Sequence, residues 1–338
     1  MVEKTAISHL ISLQDLAEQE VADWVDLSLR MKRRPPSVQL SGKSVGLLFF
    51  RPSLRTRTSL EAAVHQLGGH TIHLAASSDF WDLEAQVGAV MDGKAPEHIK
   101  DAAGVLSRYL DAIAIRPPLS GQSWAIDRKD AVIRAWAAYA GVPVINMESA
   151  LWHPLQALAD LMTMRETLGQ LAGKKLAIVW THSPAPASAA VTNSLLLAAL
   201  RAGMQVRIAH PAGYDLDDQV MSEGTRLAES QGRALQTGLA AKDAVQGAHV
   251  VYARSWQSLE DYGNPTLAAS RRSRTGGWTI DEALMRHTED GRLMHAMPVR
   301  RNLEVTDEVL DGARSLIYEQ AENRLHTQKA LLTMLLRA

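Results

Sequence analysis

The sequence predicts an α/β protein of two doubly wound parallel-sheet domains of similar size, on three observations. Short apolar, β-branched runs alternate with longer segments of helical period over most of the 338 residues, the pattern of parallel sheets covered by helices on both faces. The length favours two domains over one. The composition, 46% hydrophobic and 22% charged with 36 Lys+Arg against 37 Asp+Glu, is that of a folded, near-neutral chain rather than a disordered one.

Taken in order, the first element is Leu13–Lys32, whose apolar residues recur at helical spacing up to Arg33-Arg34-Pro35-Pro36. It is expected to be a surface helix ahead of the first strand. The strand runs follow as Ser44–Phe50, His70–Leu74, Ala112–Ile115, Val142–Met147, Lys175–Trp180, Gln205–His210, His249–Ala253, Leu293–Met297 and Leu316–Tyr318. Amphipathic stretches separate them: Ser59–Leu67, Glu97–Leu110, Arg128–Tyr139, Leu155–Leu168, Ala190–Ala202 and Gln219–Gln231. A hinge is expected near Glu148–His153, dividing the chain into domains 1–150 and 151–338. The last helix, Glu322–Leu336 (322–336), packs back on the first domain or stays with the second; the pattern leaves both open.

Several function classes are excluded by arithmetic. The chain has no cysteine, which removes disulfides, cysteine-ligated metals and thiol nucleophiles. A net charge of -1 offers no field for a polyanion, so no nucleic-acid partner is expected. Arg271-Arg272-Ser273-Arg274 reads as a solvated loop. The start Met1-Val2-Glu3-Lys4-Thr5 lacks the basic-then-apolar pattern of a secretory signal, and runs such as Leu195–Leu200 are too short to span a bilayer. A soluble cytoplasmic protein with no membrane partner is expected. Gly42-Lys43-Ser44 resembles the end of a phosphate-binding loop, but Ser37 stands where its first glycine belongs. No Gly-x-Gly-x-x-Gly follows any strand, and Gly68-Gly69 reads as a helix end.

The informative stretch is Phe49-Phe50-Arg51-Pro52-Ser53-Leu54-Arg55-Thr56-Arg57-Thr58-Ser59-Leu60-Glu61. It falls where a parallel strand gives way to a helix, the place where open α/β sheets bind ligands. Arginines in a first helical turn oppose the helix dipole. An anion removes that conflict. The hydroxyls of Ser53, Thr56 and Thr58, the free backbone N–H groups and the guanidinium forks together suit a phosphate. The competing reading is a set of solvated arginines on a helix capped by Ser53.

These residues resemble a known family. Ser-x-Arg-Thr-Arg at a strand-to-helix turn is similar to the carbamoyl-phosphate motif of aspartate and ornithine carbamoyltransferases. His153-Pro154-Leu155-Gln156 resembles their His-Pro-x-Gln motif, and His295-Ala296-Met297-Pro298 their His-x-x-Pro loop, in the same order along the chain. Further stretches resemble the transcarbamylases of N-acetylornithine and N-succinylornithine. They are Phe80–Glu84 with Val90–Gly93, Val144–Glu148, Val251–Trp256, Pro298–Asn302 and Ala321–Arg324. Ala253-Arg254-Ser255-Trp256 stands where ornithine carbamoyltransferases carry Asp-x-x-x-Ser-Met-Gly, which points away from a free α-amine.

The resemblance implies that Ser53, Leu54, Arg55 and Thr56 surround the phosphate, with Arg57 in support and Arg324 completing the anion site. Arg116 matches the arginine bridging phosphate and carbamoyl oxygen, and His153 its carbonyl partner. Gln156 and the backbone of Ala296 and Met297 match the acceptors of the carbamoyl NH2. Trp81 matches a loop residue that reaches a neighbouring subunit, implying a homotrimer with shared sites. Glu148, Pro96, Arg254, Arg300 and Glu304 match positions around the second substrate. No metal and no cofactor is implied, and Arg55, Thr56, Arg116 and His153 are the catalytic candidates. Each has a plainer reading: His153 as a helix start, Arg116 as a loop arginine, Trp81 as an anchor on its own domain, Glu148 as a capping carboxylate, Arg324 as a salt-bridge residue and Glu304 as a solvent-facing one.

Departures are as informative. Ala296 replaces the cysteine of the His-Cys-Leu-Pro loop, Arg254 replaces a lysine, and Ser183 and Ala185 replace a histidine and a basic residue. Glu304 stands where acetylornithine enzymes carry a carboxylatable lysine. Pro96 matches the succinylornithine enzymes, whereas the acetyl enzymes have glutamate there. The expected activity is carbamoyl transfer from carbamoyl phosphate to the side-chain amine of an N-acylornithine, succinyl favoured over acetyl, in arginine biosynthesis. The alternatives are an ornithine carbamoyltransferase and a non-catalytic assembly or regulatory relative.

Overall fold

A computed structural model describes residues 9–34, 39–76 and 78–336; Met1–Thr5, Pro35-Pro36 and Ser37, invoked above, lie outside them. Twelve strands are assigned among these residues: β1 (His9–Leu10), β2 (Ser44–Phe49), β3 (His70–Ala75), β4 (Leu83–Glu84), β5 (Glu97–His98), β6 (Ala112–Arg116), β7 (Val144–Asn146), β8 (Lys175–Trp180), β9 (Gln205–Ala209), β10 (Gln236–Leu239), β11 (Val250–Arg254) and β12 (Arg292–Met294). They form two five-stranded sheets, ordered β1-β7-β6-β2-β3 and β10-β9-β8-β11-β12, and a small β4-β5 pair. Every pairing is parallel, which establishes the two-sheet α/β class.

The chain divides into two compact units: Met1–Leu119 with Ile126–Leu158 and Arg324–Ala338, and Ser120–Ala125 with Ala159–Asn323. In the first, Val45, Leu47, Leu48, Ile113 and Ile115 are essentially buried, so β2 and β6 read as near-continuous apolar runs, as strands covered on both faces must. Gly46 belongs there because a Cβ would meet Leu110 Cδ1 at 2.5 Å. The core of the second unit is built by β8, β9, β11 and β12 with Ala244, Val245, Met285, Val309 and Leu310.

In each sheet the strand order reverses once. From β2 the chain moves outward to β3 and then to the other side at β6; from β8 it moves to β9 and β10 and then across to β11. Such reversal points open a crevice beyond the strand C-termini. The first carries Arg51–Thr56 and Arg116, the second Thr181–Ser183 and Arg254.

Several expectations are corrected. Leu13–Lys32 is not one surface helix before the first strand. It is a short 3-10 turn, Leu13–Asp15, and a helix, Glu18–Arg33, that buries Val21, Trp24, Val25 and Met31, and β1 precedes both. Leu316–Tyr318 is not a strand: Leu316 N–H reaches Leu293 O, and the helix Ile317–Leu336 begins at once. A three-residue apolar run does not distinguish the two states. Glu97 and His98 form β5 before the helix Ile99–Tyr109. Arg271 lies on the helix Pro265–Ser273 and is paired with Asp261 and Glu260 rather than solvated in a loop. Gly68, at φ 81°, ends the helix Leu54–Gln66 as read.

Candidate active site

The helix Leu54–Gln66 starts directly beyond β2 with Ser53 as N-cap, its hydroxyl accepting from Thr56 N–H at 3.4 Å. Its first turn holds no acidic residue, so the positive end of the dipole adds to Arg55, half-buried, and Arg57, exposed. Leu54 is exposed, whereas Thr56 is buried. The Thr58 hydroxyl donates back to Leu54 O at 2.9 Å, so it serves its own helix rather than the cradle. Asp79 lies near Arg57, and its carboxyl is held below the usual range chiefly by the Ala75 N–H and Ser78 hydroxyl.

Residues far apart in sequence converge here. Arg324 donates from Nη2 to Thr56 Oγ1 at 2.6 Å and from Nη1 to Gln156 Oε1 at 3.0 Å. All three are buried. The arginine therefore holds the hydroxyl oxygen as an acceptor, leaving the hydroxyl proton to be donated elsewhere. His153 is buried and its carbonyl accepts from Gln156 and Ala157 N–H, opening the helix Pro154–Leu168 with Pro154 at the first position, where the missing N–H costs nothing.

Arg116, the last residue of β6, pairs with Glu148 at 2.5 Å. Glu148 is buried and its backbone stands at φ 143°. Arg51, two residues beyond β2, donates to Pro117 O at 3.0 Å and Glu148 O at 2.8 Å, tying together the loops that follow β6 and β7. In the sequence Arg51 is one of several arginines, and its place just after an apolar run is the signal that marks it. Trp81 and Pro96 lie exposed on the segments flanking the small β4-β5 pair.

Within the second unit, Arg254 ends β11 and is buried, its Nε without a hydrogen-bond partner among the described residues. Arg300 is exposed and its Nε reaches Ser183 Oγ at 3.1 Å. Glu304 is not solvent-facing: it is buried and accepts from His295 Nε2 at 2.9 Å. That direction follows because His295 Nδ1 accepts from Met297 N–H at 2.8 Å, leaving the ring proton on Nε2. Met297 stands at φ 54°, and the Met297-Pro298 bond is cis. His295 N–H donates to Gln320, whose amide reaches Asp160 and the Tyr252 hydroxyl. Burial, reinforced by Asp160, pushes the Tyr252 pKa well above its ordinary value. Asp160 and Gln320 were not foreseen; single polar residues in helical stretches carry no sequence signal.

Comparison with known proteins identifies the family. Residues 8–166 match the aspartate/ornithine carbamoyltransferase carbamoyl-P binding domain, and residues 172–335 match the family's Asp/Orn binding domain. The chain is 39% identical over 333 residues to an N-acetylornithine carbamoyltransferase of Xanthomonas campestris pv. campestris, covering 98% of each. It is 41% identical over 335 residues to an ornithine carbamoyltransferase of Parafrankia sp., covering 97% of this chain and 96% of that protein. A solved glutamate-to-proline variant of N-acetyl-L-ornithine transcarbamylase, complexed with carbamyl phosphate and N-succinyl-L-norvaline, matches with TM-score 0.93 at 39% identity over 97% of this chain and all of that one. With both family domains present over nearly its whole length, the chain belongs to the aspartate/ornithine carbamoyltransferase family and is a carbamoyltransferase.

Proposed function

We propose that the protein transfers the carbamoyl group of carbamoyl phosphate to the side-chain amine of an N-acylornithine, with N-succinylornithine preferred to N-acetylornithine, and serves arginine biosynthesis. The observation that carries the reading is the junction of Thr56, Gln156 and Arg324 at a helix N-terminus lined by Ser53, Arg55 and Arg57. The carbamoyl-P binding family domain, residues 8–166, holds Ser53, Arg55, Thr56, Arg116, His153 and Gln156, and Arg324 joins them from the last helix, whereas Arg254, Arg300 and Glu304 lie in the Asp/Orn binding domain.

The amine attacks the carbamoyl carbon, and negative charge grows on the carbonyl oxygen. Thr56, Arg116 and His153 are the donors assigned to that oxygen, fixed before the reaction begins, which is where the largest catalytic contribution is ordinarily made. Arg55, Arg57 and Arg324 favour the phosphate dianion and therefore its departure. The leaving phosphate accepts the amine proton. Gln156 and the carbonyls of Ala296 and Met297 accept from the carbamoyl NH2. Carbamoyl phosphate replaces Glu148 as the partner of Arg116, and the freed carboxylate holds the second substrate.

Succinyl preference is supported by Pro96, because glutamate there repels a second carboxylate, and by Arg254 and Arg300, which supply pairing charge. The solved glutamate-to-proline relative that carries an N-succinyl amino acid supports the same reading. Trp81, strongly exposed, is assigned to a neighbour's site in a cytoplasmic homotrimer. Among the described residues no helix is long and apolar enough to cross a membrane. The test is a panel of free, acetylated and succinylated ornithine with carbamoyl phosphate, read by phosphate release and product mass. The expected order is succinyl, acetyl, free; a preference for free ornithine overturns the acylornithine assignment, and no product with any of them overturns catalysis on this substrate class.

A further inference from the structure

We propose that Asp130 is a positioning residue for the turn that carries Glu148, an inference that rests on the role given above to Glu148. Asp130 holds the N-cap position of the helix Ala131–Tyr139 in a left-handed conformation, φ 49°, yet makes no side-chain cap on that helix. An aspartate at this position ordinarily turns its carboxylate onto its own helix's free N–H groups. Here the buried carboxylate crosses to the turn instead. Oδ2 accepts from the Ser149 hydroxyl at 2.7 Å and Oδ1 from Ala150 N–H at 2.9 Å, with Leu151 N–H as a third donor. Burial pushes its pKa up, and these donors hold it back only in part.

Asn146 grips the same turn from the end of β7. Its Oδ1 accepts from Glu148 N–H at 3.0 Å, and its Nδ2 donates to Ile11 O at 2.9 Å and Ser149 Oγ at 3.0 Å. The turn so held is strained, because Glu148 at φ 143° occupies a region that favours glycine. Such a conformation persists where its surroundings over-determine it. Asp130 gives up its local cap and accepts burial to supply that restraint, and its hydrogen bonds among the described residues run to Ser149, Ala150 and Leu151. Its effect on the reaction therefore passes through Ser149, Ala150 and Leu151 to the placement of the Glu148 carboxylate on Arg116.

The test compares Asp130→Asn, Ser149→Ala, Glu148→Gln and the Asp130→Asn/Glu148→Gln double variant in the full-length protein. It reads kinetics in carbamoyl phosphate and N-succinylornithine, together with amide hydrogen exchange at residues 146–153. Asp130→Asn is expected to speed exchange at Ala150 and Leu151 about tenfold or more, and to raise KM for the acylornithine about tenfold. KM for carbamoyl phosphate is expected to change by less than about twofold. Because Asp130 acts through Glu148, the double variant is expected to lose no more than Glu148→Gln alone. Unchanged exchange, equal rises in both KM values, or losses that multiply overturn the proposal. Ser149→Ala keeps both backbone bonds to Asp130 and is expected to shift the same readouts by a smaller factor; if Asp130→Asn does not fold, unchanged exchange in Ser149→Ala overturns it. Normal turnover by Glu148→Gln alongside fast exchange in Asp130→Asn overturns the substrate role of Glu148 and leaves the hold of Asp130 on the turn established.

Discussion

Arg55 stands in the first turn of a helix whose dipole already favours an anion, which makes it the plainest single test of the phosphate cradle. Arg55 is half-buried in the first helical turn, where alanine is a good helix former, so Arg55→Ala is expected to keep its thermal midpoint. A charge-assisted hydrogen bond contributes about 1.5–3 kcal/mol, and more at a transition state, so kcat/KM for carbamoyl phosphate is expected to fall roughly a hundredfold. A folded, fully active variant contradicts the assignment. At the acyl end, Pro96→Glu brings a carboxylate toward the extra charge of a succinyl tail. Two unit charges near 4 Å at an effective dielectric of 20 repel by about 4 kcal/mol. Even a partly screened clash is expected to move the succinyl-to-acetyl ratio of kcat/KM at least about tenfold toward acetyl; an unchanged ratio removes Pro96 from the specificity argument. Residue type alone did not show where each group points. By type Thr58 belongs with the cradle, yet it bonds its own helix, and Glu304 faces His295 rather than solvent.

At the scale of elements, the start of β2 is locked to the turn before β6 by Asp111, which accepts from Lys43 Nζ at 2.9 Å and Ser44 N–H at 2.8 Å. Burial raises the Asp111 pKa, but the two hydrogen bonds and the Lys43 charge outweigh it, leaving it lowered. A carboxylate with a folded pKa below its unfolded value stabilises fully above the ordinary range, near pH 4, and loses that contribution as pH falls through the folded value. Asp111→Asn is expected to cost about 1–2 kcal/mol at pH 7, with the difference shrinking below about pH 4. Urea denaturation at both pH values measures this, and an equal cost at each contradicts the linkage. Elements with a strong period were legible: Lys175–Trp180 is a strand with the bounds the apolar run predicts. Short ones were not, because β1 and β10 pair along sheet edges through backbone bonds that leave little trace in side-chain pattern.

At the scale of the whole molecule, the proposed assignment of Trp81 to a neighbour's site predicts that activity is a property of the assembly. Under that proposal Trp81→Ala and Arg55→Ala disable different contributors to one shared site, and each protein is expected to be nearly inactive alone. On mixing with subunit exchange, some sites receive intact Arg55 and Trp81 from different chains, and activity is expected to reappear. Absence of rescue after exchange has been verified by mass argues that Trp81 serves its own chain.

Amino-acid order by itself determined the α/β class, because short continuous apolar runs alternating with helical apolar periods report which faces must be buried. It also determined the family, because Ser53–Arg57, His153–Gln156 and His295–Pro298 carry functional groups at fixed local spacing. Only the tertiary structure decided which distant groups meet. Arg324 reaches Thr56 across 268 positions, Arg51 bridges the ends of two strands, and Asp130 abandons its own helix for the turn at Ser149. Local pattern encodes burial, whereas a hydrogen bond between remote side chains depends on where parallel strands place their C-terminal ends, and that placement follows from the order of strands in the sheet.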